Sequence, residues 1–183
     1  MAHFYTADPH FGHAKIIPLC NRPFKNLDEM NAALLDNLKQ SMTKRDDLWV
    51  IGDFAYKGSG NAIEKIFSEI PGNKHLIIGN HDCKHIKRLN WGSQHEIFAL
   101  NDGPHRFLMC HYPMVSWNQA RHGVIQLFGH VHNNWAGSRN SVNLGVDLWD
   151  FAPVKADAIK ARAKTLPVNP IWDLVEPNAD LGA

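Results

Sequence analysis

The chain has 183 residues, a formal net charge of +1, and 44% hydrophobic and 20% charged residues. This composition is ordinary for a globular protein, and the length allows one domain with a substantial core. The near-neutral charge, without a long basic or acidic block, predicts no dedicated nucleic-acid surface and no membrane surface.

Apolar runs separated by turn residues predict alternating strands and helices in the first half of the chain. The helix expected at about 27–42 has apolar residues spaced by three or four, and Asn26 followed by Glu29 fits a capping box at its start. We expect strands at 3–7, 47–51 and 74–78, a second helix at about 61–70 and a short helical stretch at 85–89.

The second half of the chain is predicted to be mainly strands, at 95–99, 106–110, 124–128 and 141–146, before a helix at about 155–165. Together these elements indicate an α/β fold in which two sheets pack together with helices outside. We expect a single domain over 1–183, with a core over about 1–166 and a C-terminal tail over 167–183.

The expected location is the cytoplasm. No apolar run approaches the roughly 20 residues that span a bilayer, and no signal-peptide pattern is visible at the start of the chain. The three cysteines, Cys20, Cys83 and Cys110, have no CxxC spacing, which favours reduced and mostly buried thiols.

Polar clusters follow five of the apolar runs. They are Asp8-Pro-His10, Gly52-Asp53, Gly79-Asn80-His81-Asp82, His111 and Gly129-His130-Val-His132. In an α/β sheet, ligands bind at the carboxyl ends of strands. Asp8 and His10 are two residues apart, so an extended strand end would turn both side chains toward one ligand.

Each cluster alone has an ordinary structural explanation, such as a Gly-Asn-His turn or a buried and hydrogen-bonded histidine. The occurrence of all five at strand ends favours a metal site instead. A mixed Asp, His and Asn ligand set without thiolates suits Mn²⁺, Fe or Zn²⁺. The carboxylate of Asp53 has two oxygens and can bridge two cations, and His81 is a proton donor near neutral pH.

The five clusters, in this order over residues 8–132, resemble the motifs of the calcineurin-like metallophosphoesterases. The later segment Asn143-Leu-Gly-Val-Asp147 is similar to the one that follows the last motif in small bacterial and phage members. The resemblance implies a four-layer α/β/β/α sandwich of two mixed sheets that holds two divalent or trivalent metal ions. It implies that Asp8, His10 and His132 bind the first ion, that Asp53 bridges, and that Asn80, His111 and His130 bind the second.

The function that this resemblance implies is that of a dinuclear metal-dependent phosphoesterase. Two cations about 3.5–4 Å apart clamp a phosphate and lower the pKa of a shared water, and the resulting metal-bound hydroxide attacks phosphorus. His81 would protonate the leaving oxygen as the general acid. Whether Asp82 orients His81 or points away is left open by the sequence.

One departure from the family pattern concerns the substrate class. Tyr56 and Lys57 stand where the protein Ser/Thr phosphatases of this superfamily carry an Asp-Arg pair that supports the histidine and grips the phosphate. Lysine lacks the bidentate fork that holds a doubly charged terminal phosphate, which favours a phosphodiester substrate. A phosphomonoesterase, acting on protein or small molecules, is the alternative, and a non-catalytic scaffold is a third.

Three further residues are expected to contact the substrate, namely His13, Lys57 and Arg121. For His13 and Arg121 the alternative is a solvated surface position. The chain has little room for a cap domain, so we expect an open site that takes a small phosphoester or nucleotide-type substrate. The sequence determines neither the natural substrate, nor the metal identity, nor the oligomeric state.

Overall fold

The computed structural model describes residues 1–56 and 60–176, whose strands form two sheets. The first sheet is parallel throughout and runs, from edge to edge, β1 (His3–Thr6), β2 (Asp47–Ile51), β3 (Asn73–Ile77) and β4 (Ser93–His95). The second sheet is mixed and runs β5 (Ile97–Asp102), β6 (His105–Cys110), β7 (Ile125–Phe128), β9 (Ser141–Asn143) and β8 (Gly137–Ser138). The prediction of two mixed sheets is therefore correct only for the second sheet.

The helices are α1 (Ile16–Leu19), α2 (Leu27–Ser41), α3 (Gly60–Glu69), α4 (Lys84–Lys87), α5 (Ala156–Thr165) and α6 (Trp172–Val175). Two 3₁₀ turns cover His132–Asn134 and Val146–Leu148. At the start of α2 the Asn26 side chain accepts a hydrogen bond from the Glu29 N–H at 2.9 Å, as predicted. The Glu29 carboxylate accepts a hydrogen bond from the N–H of Lys25. In a standard capping box it would accept from the N–H of the N-cap residue itself, Asn26. Among the described residues no helix combines the length and apolarity needed to cross a membrane.

Alternation along the first sheet sends its side chains into two separate cores. One face packs against α2 and α3 and includes Phe4, Leu48, Val50 and Leu76. The other face packs against the second sheet through Tyr5, Trp49, Ile51, Ile77, Phe107, Met109 and Leu127. Helices thus lie on both sides of two stacked sheets, which confirms the α/β/β/α sandwich.

The segment predicted as one strand at 95–99 belongs to both sheets. β4 ends at His95 in the first sheet, and β5 begins at Ile97 in the second, so the chain crosses between the sheets at Glu96. Local periodicity does not distinguish one strand from two that meet at a crossing, because both read as an extended run.

The segment predicted as a tail contributes to the packed part of the protein. α6 lies within 167–183, and Trp172 is buried with its ring 5.6 Å from that of Trp117 on the outer side of the second sheet. Packing therefore extends at least to residue 172, beyond the boundary expected at 166.

Candidate metal centre

The carboxyl ends of β1, β2, β3, β6 and β7 meet at one edge of the sandwich. Several hydrogen bonds join the sheets there, among them two that involve candidate ligands. The His130 N–H donates to Oδ2 of Asp8 at 2.9 Å, and Nδ1 of His111 lies 3.0 Å from the carbonyl oxygen of Ile51. All five polar clusters are thereby brought to the same place.

The first group of side chains is Asp8, His10 and His132, whose candidate ligand atoms all lie within 4.8 Å of one another. Nε2 of His10 is buried and has no hydrogen-bond partner among the described residues. Buried polar atoms are normally paired, so this orphaned nitrogen calls for an explanation. Burial raises the pKa of Asp8 to about 7, although the charges of His111 and His132 act in the opposite direction. A bound cation would satisfy both needs.

The second group is Asp53, His111 and His130, again with ligand atoms within 4.8 Å of one another. A carbonyl oxygen only accepts hydrogen bonds, so the contact with Ile51 places one His111 proton on Nδ1. Nε2 faces Asp53, and there a metal ion would replace the second proton that His111 carries in its charged form. Oδ1 of Asn80 lies 3.1 Å from that Nε2 and 3.0 Å from Nδ1 of His130. The Asn80 amide oxygen therefore completes a four-residue group.

Asp53, a member of the second group, also contacts the first group. Its Oδ2 lies 3.6 Å from Nε2 of His10 and 3.4 Å from Nε2 of His111. Burial opposes its ionisation, but the hydrogen bond and charge of His111 outweigh that effect and hold the Asp53 pKa at about 2. An ionised carboxylate in contact with both groups is what a bridging ligand requires.

The backbone at these strand ends is left-handed, which corrects the expected extended conformation. Five of the nine non-glycine residues with positive φ in the described ranges belong to the two groups, namely Asp8, His10, Asp53, His130 and His132. Such φ values are uncommon outside glycine and cluster at functional sites. Gly52 (φ +81°) also needs to be glycine, because a Cβ there would lie 2.1 Å from Nδ1 of His111.

His81 is partly buried, with its ring beside the first group and its backbone N–H bonded to Asp53. Its ring centroid is 5.4 Å from that of His10 and 5.1 Å from that of Tyr56. The predicted substrate contact His13 is close by, since its ring stacks on Tyr56 at 4.0 Å and its Nδ1 lies 3.3 Å from Nδ1 of His10. His13 is therefore at the site.

Of the other two predicted substrate contacts, Lys57 lies outside the described residues, and Arg121 lies away from both groups. Arg121 is exposed and pairs with Glu176 at 3.3 Å, and the cavity that the two line includes Trp117 and His122 but no member of either group.

Asp82 does not orient the ring of His81. Its carboxylate is buried and accepts hydrogen bonds from the backbone N–H groups of Asp53, Phe54 and Gly79, at 2.8–3.0 Å. Asp82 therefore ties the loop after β3 to the loop after β2.

Sequence reasoning missed two charged residues beside the first group, Arg22 and Asp147. Arg22 lies in an Asn-Arg-Pro turn that carries no metal-binding signal, and Asp147 entered only through the family resemblance. The aromatic ring of Tyr112, 4.7 Å from that of His130, was also missed, although its position directly after His111 was a usable signal.

Comparison with known proteins finds relatives of this chain by sequence. No protein-family model matches the chain. The uncharacterised protein MJ1445 of Methanocaldococcus jannaschii is 29% identical over 164 residues, covering 85% of this chain and 88% of that protein. The gene 66 protein of Mycobacterium phage D29 is 27% identical over 184 residues, covering 82% and 91% respectively.

Among solved structures, the protein of unknown function AQ665 from Aquifex aeolicus matches with a TM-score of 0.72 and 23% identity, over 88% of this chain and 98% of that one. The phosphoesterase YfcE from E. coli matches more distantly, with a TM-score of 0.46 and 16% identity over 79% and 78%. The fold is thus shared with AQ665. In their order along the chain, the five motifs resemble those of the calcineurin-like metallophosphoesterases.

Proposed function

We propose that this protein is a metal-dependent phosphodiesterase that holds two ions, one in each group of side chains. The observation that carries the proposal is the position of Asp53, whose Oδ2 faces Nε2 of His10 and Nε2 of His111 at 3.6 and 3.4 Å. Asp8, His10 and His132 would hold one ion, Asn80, His111 and His130 the other, and Asp53 both.

The donor set agrees with a pair of ions such as Mn²⁺, Fe or Zn²⁺, since it combines imidazole, carboxylate and amide donors. Ions held in this way supply Lewis-acid chemistry, neutralising charge on the phosphate and activating a water as the nucleophile. The chain itself contributes the spacing of the donors, because the left-handed strand ends and the loop held by Asp82 fix them before an ion arrives.

His81 is the proposed general acid. As water attacks phosphorus, the bond from phosphorus to the leaving oxygen breaks, and the His81 imidazolium transfers its proton to that oxygen. Its position beside His10 supports this role, and its backbone N–H is held by Oδ1 of Asp53 at 2.8 Å. The acid and the bridging ligand are thus joined in one unit.

The surroundings of His81 favour a diester over a monoester. Tyr56 stands at the sequence position where the protein Ser/Thr phosphatases carry the Asp that supports this histidine. Its aromatic ring contacts the ring of His81 in an edge arrangement. The guanidinium beside the first group, that of Arg22, makes its bonds to Asp147 and to backbone carbonyls, so it is not presented to a phosphate. A singly charged diester needs less cationic support than a doubly charged monoester.

The test is a pair of assays on protein reconstituted with Mn²⁺, using bis-p-nitrophenyl phosphate and p-nitrophenyl phosphate at equal concentrations. We expect hydrolysis of both to depend on metal and kcat/KM to be larger for the diester. A larger kcat/KM for the monoester would overturn the diester assignment, and activity that survives complete metal removal would overturn the metal-dependent mechanism. A control variant is Asp47→Asn, which changes a buried carboxylate between two histidines at the opposite end of β2. Its activity should equal that of the wild type, because Asp47 belongs to neither group.

A further inference from the structure

Arg22 is a buried cation whose side chain is 0% exposed, and it bonds to two separate parts of the chain. Its Nε donates to Oδ1 of Asp147 at 2.7 Å and its Nη2 to Oδ2 at 3.0 Å, a bidentate pair. The same guanidinium donates to the carbonyl oxygens of Asp8 at 2.8 Å and Pro9 at 3.0 Å. All three nitrogens of the guanidinium are therefore engaged.

These bonds act on the segment that presents Asp8 and His10. Both residues have left-handed backbones, with φ of 54° and 53°, a conformation that costs free energy unless the surroundings hold it. The two carbonyls that Arg22 grips belong to Asp8 and to Pro9, which lies between the two residues. The guanidinium thus holds the backbone between Asp8 and His10, the two residues whose left-handed conformation costs free energy.

The Asp147 carboxylate that binds Arg22 also lies close to His132, the third member of the first group. Its Oδ2 lies 3.6 Å from Nδ1 of His132, a buried nitrogen without a hydrogen-bond partner in the described part of the chain. Histidines that bind a metal through one ring nitrogen almost always donate the other N–H to a carboxylate, carbonyl or water. Asp147 is the carboxylate placed for that role, which leaves Nε2 of His132 for the ion.

We propose that Arg22 and Asp147 are positioning residues for the first metal ion. This inference rests on the proposed function, and it assigns to the pair a task that the ligand residues cannot perform alone. Arg22 holds the backbone of Asp8 and Pro9, Asp147 orients the ring of His132, and the bidentate bond between them fixes the two parts relative to each other.

A different use of these atoms is a metal bound by Cys20, His132 and Asp147, whose ligand atoms also lie within 4.8 Å of one another. Both oxygens of Asp147 are already bonded to Arg22, so an ion there would have to displace the guanidinium. The geometry therefore favours the positioning role, and Cys20→Ser separates the two alternatives.

The experiment titrates metal-free protein with Mn²⁺ and counts sites by calorimetry and by electron paramagnetic resonance. We expect two sites in the wild type. In Asp147→Asn and in Arg22→Lys we expect one site to weaken by about 10- to 100-fold while the other keeps its affinity. Asp47→Asn and Cys20→Ser should bind like the wild type. If either single variant fails to fold by circular dichroism, the double variant Arg22→Gln with Asp147→Asn replaces it, because it leaves no unpaired buried charge.

A second readout needs no variant. Nitrogen-15 NMR of the protein loaded with diamagnetic Zn²⁺ should show His132 protonated at Nδ1 and metal-bound at Nε2. Two unaltered sites in the folded Asp147 or double variant, equal weakening of both sites, or loss of a site in Cys20→Ser would overturn this inference alone. Failure of the wild type to bind Mn²⁺ would overturn the proposed function together with it.

Discussion

The backbone N–H of His81 donates a hydrogen bond to Oδ1 of Asp53 at 2.8 Å, while Oδ2 of the same carboxylate faces both groups of candidate ligands. The Asp53 side chain therefore positions the proposed acid His81 and would also bridge the two proposed ions. A change at Asp53 should disturb metal binding more than folding, because an asparagine retains the oxygen that holds His81.

We expect Asp53→Asn to lower turnover by more than about 100-fold. Substituting a residue that only hydrogen-bonds to a metal ligand already lowers metal affinity or activity by about 10- to 100-fold. Metal content, measured after gel filtration, should fall below two ions per chain. The melting temperature of the metal-free variant should fall by only about a few degrees, because the neutral side chain loses the contacts with charged histidine that lower the Asp53 pKa. Wild-type turnover in the purified variant would contradict the bridging role.

His81→Ala should leave metal content unchanged and reduce kcat by about 100- to 10,000-fold on a diester whose leaving group is an alkyl alcohol. The loss should be much smaller on bis-p-nitrophenyl phosphate, because p-nitrophenolate departs without needing a proton. Measuring both substrates on the same preparation provides the internal control. An equal loss on the two substrates would rule out proton donation by His81.

Trp172→Ala should destabilise the protein by about 3–5 kcal/mol, because it empties a buried position packed against Trp117. Leu174→Ala on the same helix is the control, as Leu174 is 82% exposed and its loss should change the free energy of unfolding by less than about 0.5 kcal/mol. Urea unfolding monitored by circular dichroism measures both. Similar midpoints for the two variants would show that α6 adds nothing to the core.

Asp46 should contribute stability that disappears in acid. Backbone hydrogen bonds from Ala2 and Thr43, with the Thr43 hydroxyl, lower the pKa of Asp46 from 3.8 to about 2. A carboxyl whose pKa is lower in the folded state stabilises the protein above pH 3.8, and this contribution is lost as the pH falls toward 2.

The melting temperature of the wild type should therefore decline more steeply between pH 4 and pH 2 than that of Asp46→Asn, as measured by differential scanning calorimetry. Asp36→Asn, on the exposed surface of α2, supplies the control for a general charge effect. Parallel curves for the wild type and Asp46→Asn would refute the assignment.

Several elements were predictable because their signals are local. The 3.6-residue period and the Asn26 cap predict α2, and the apolar run at 47–51 coincides with β2. The crossing at Glu96 and the buried Trp172 were not predictable, because they depend on which sheet or surface a segment meets. At the site, residue types at five strand ends pointed to metal chemistry, whereas their left-handed backbone carried no sequence signal.

The sequence by itself determined the chemical character of this protein, because Asp, His and Asn at the ends of apolar runs are recognisable without coordinates. Tertiary structure alone decided which oxygen of Asp53 faces His10 and His111, and that Arg22 meets Asp147 across 125 residues. The physical reason is that ligand types are a local property of the chain, while a contact between distant residues exists only after two sheets have packed and excluded water around a buried charge.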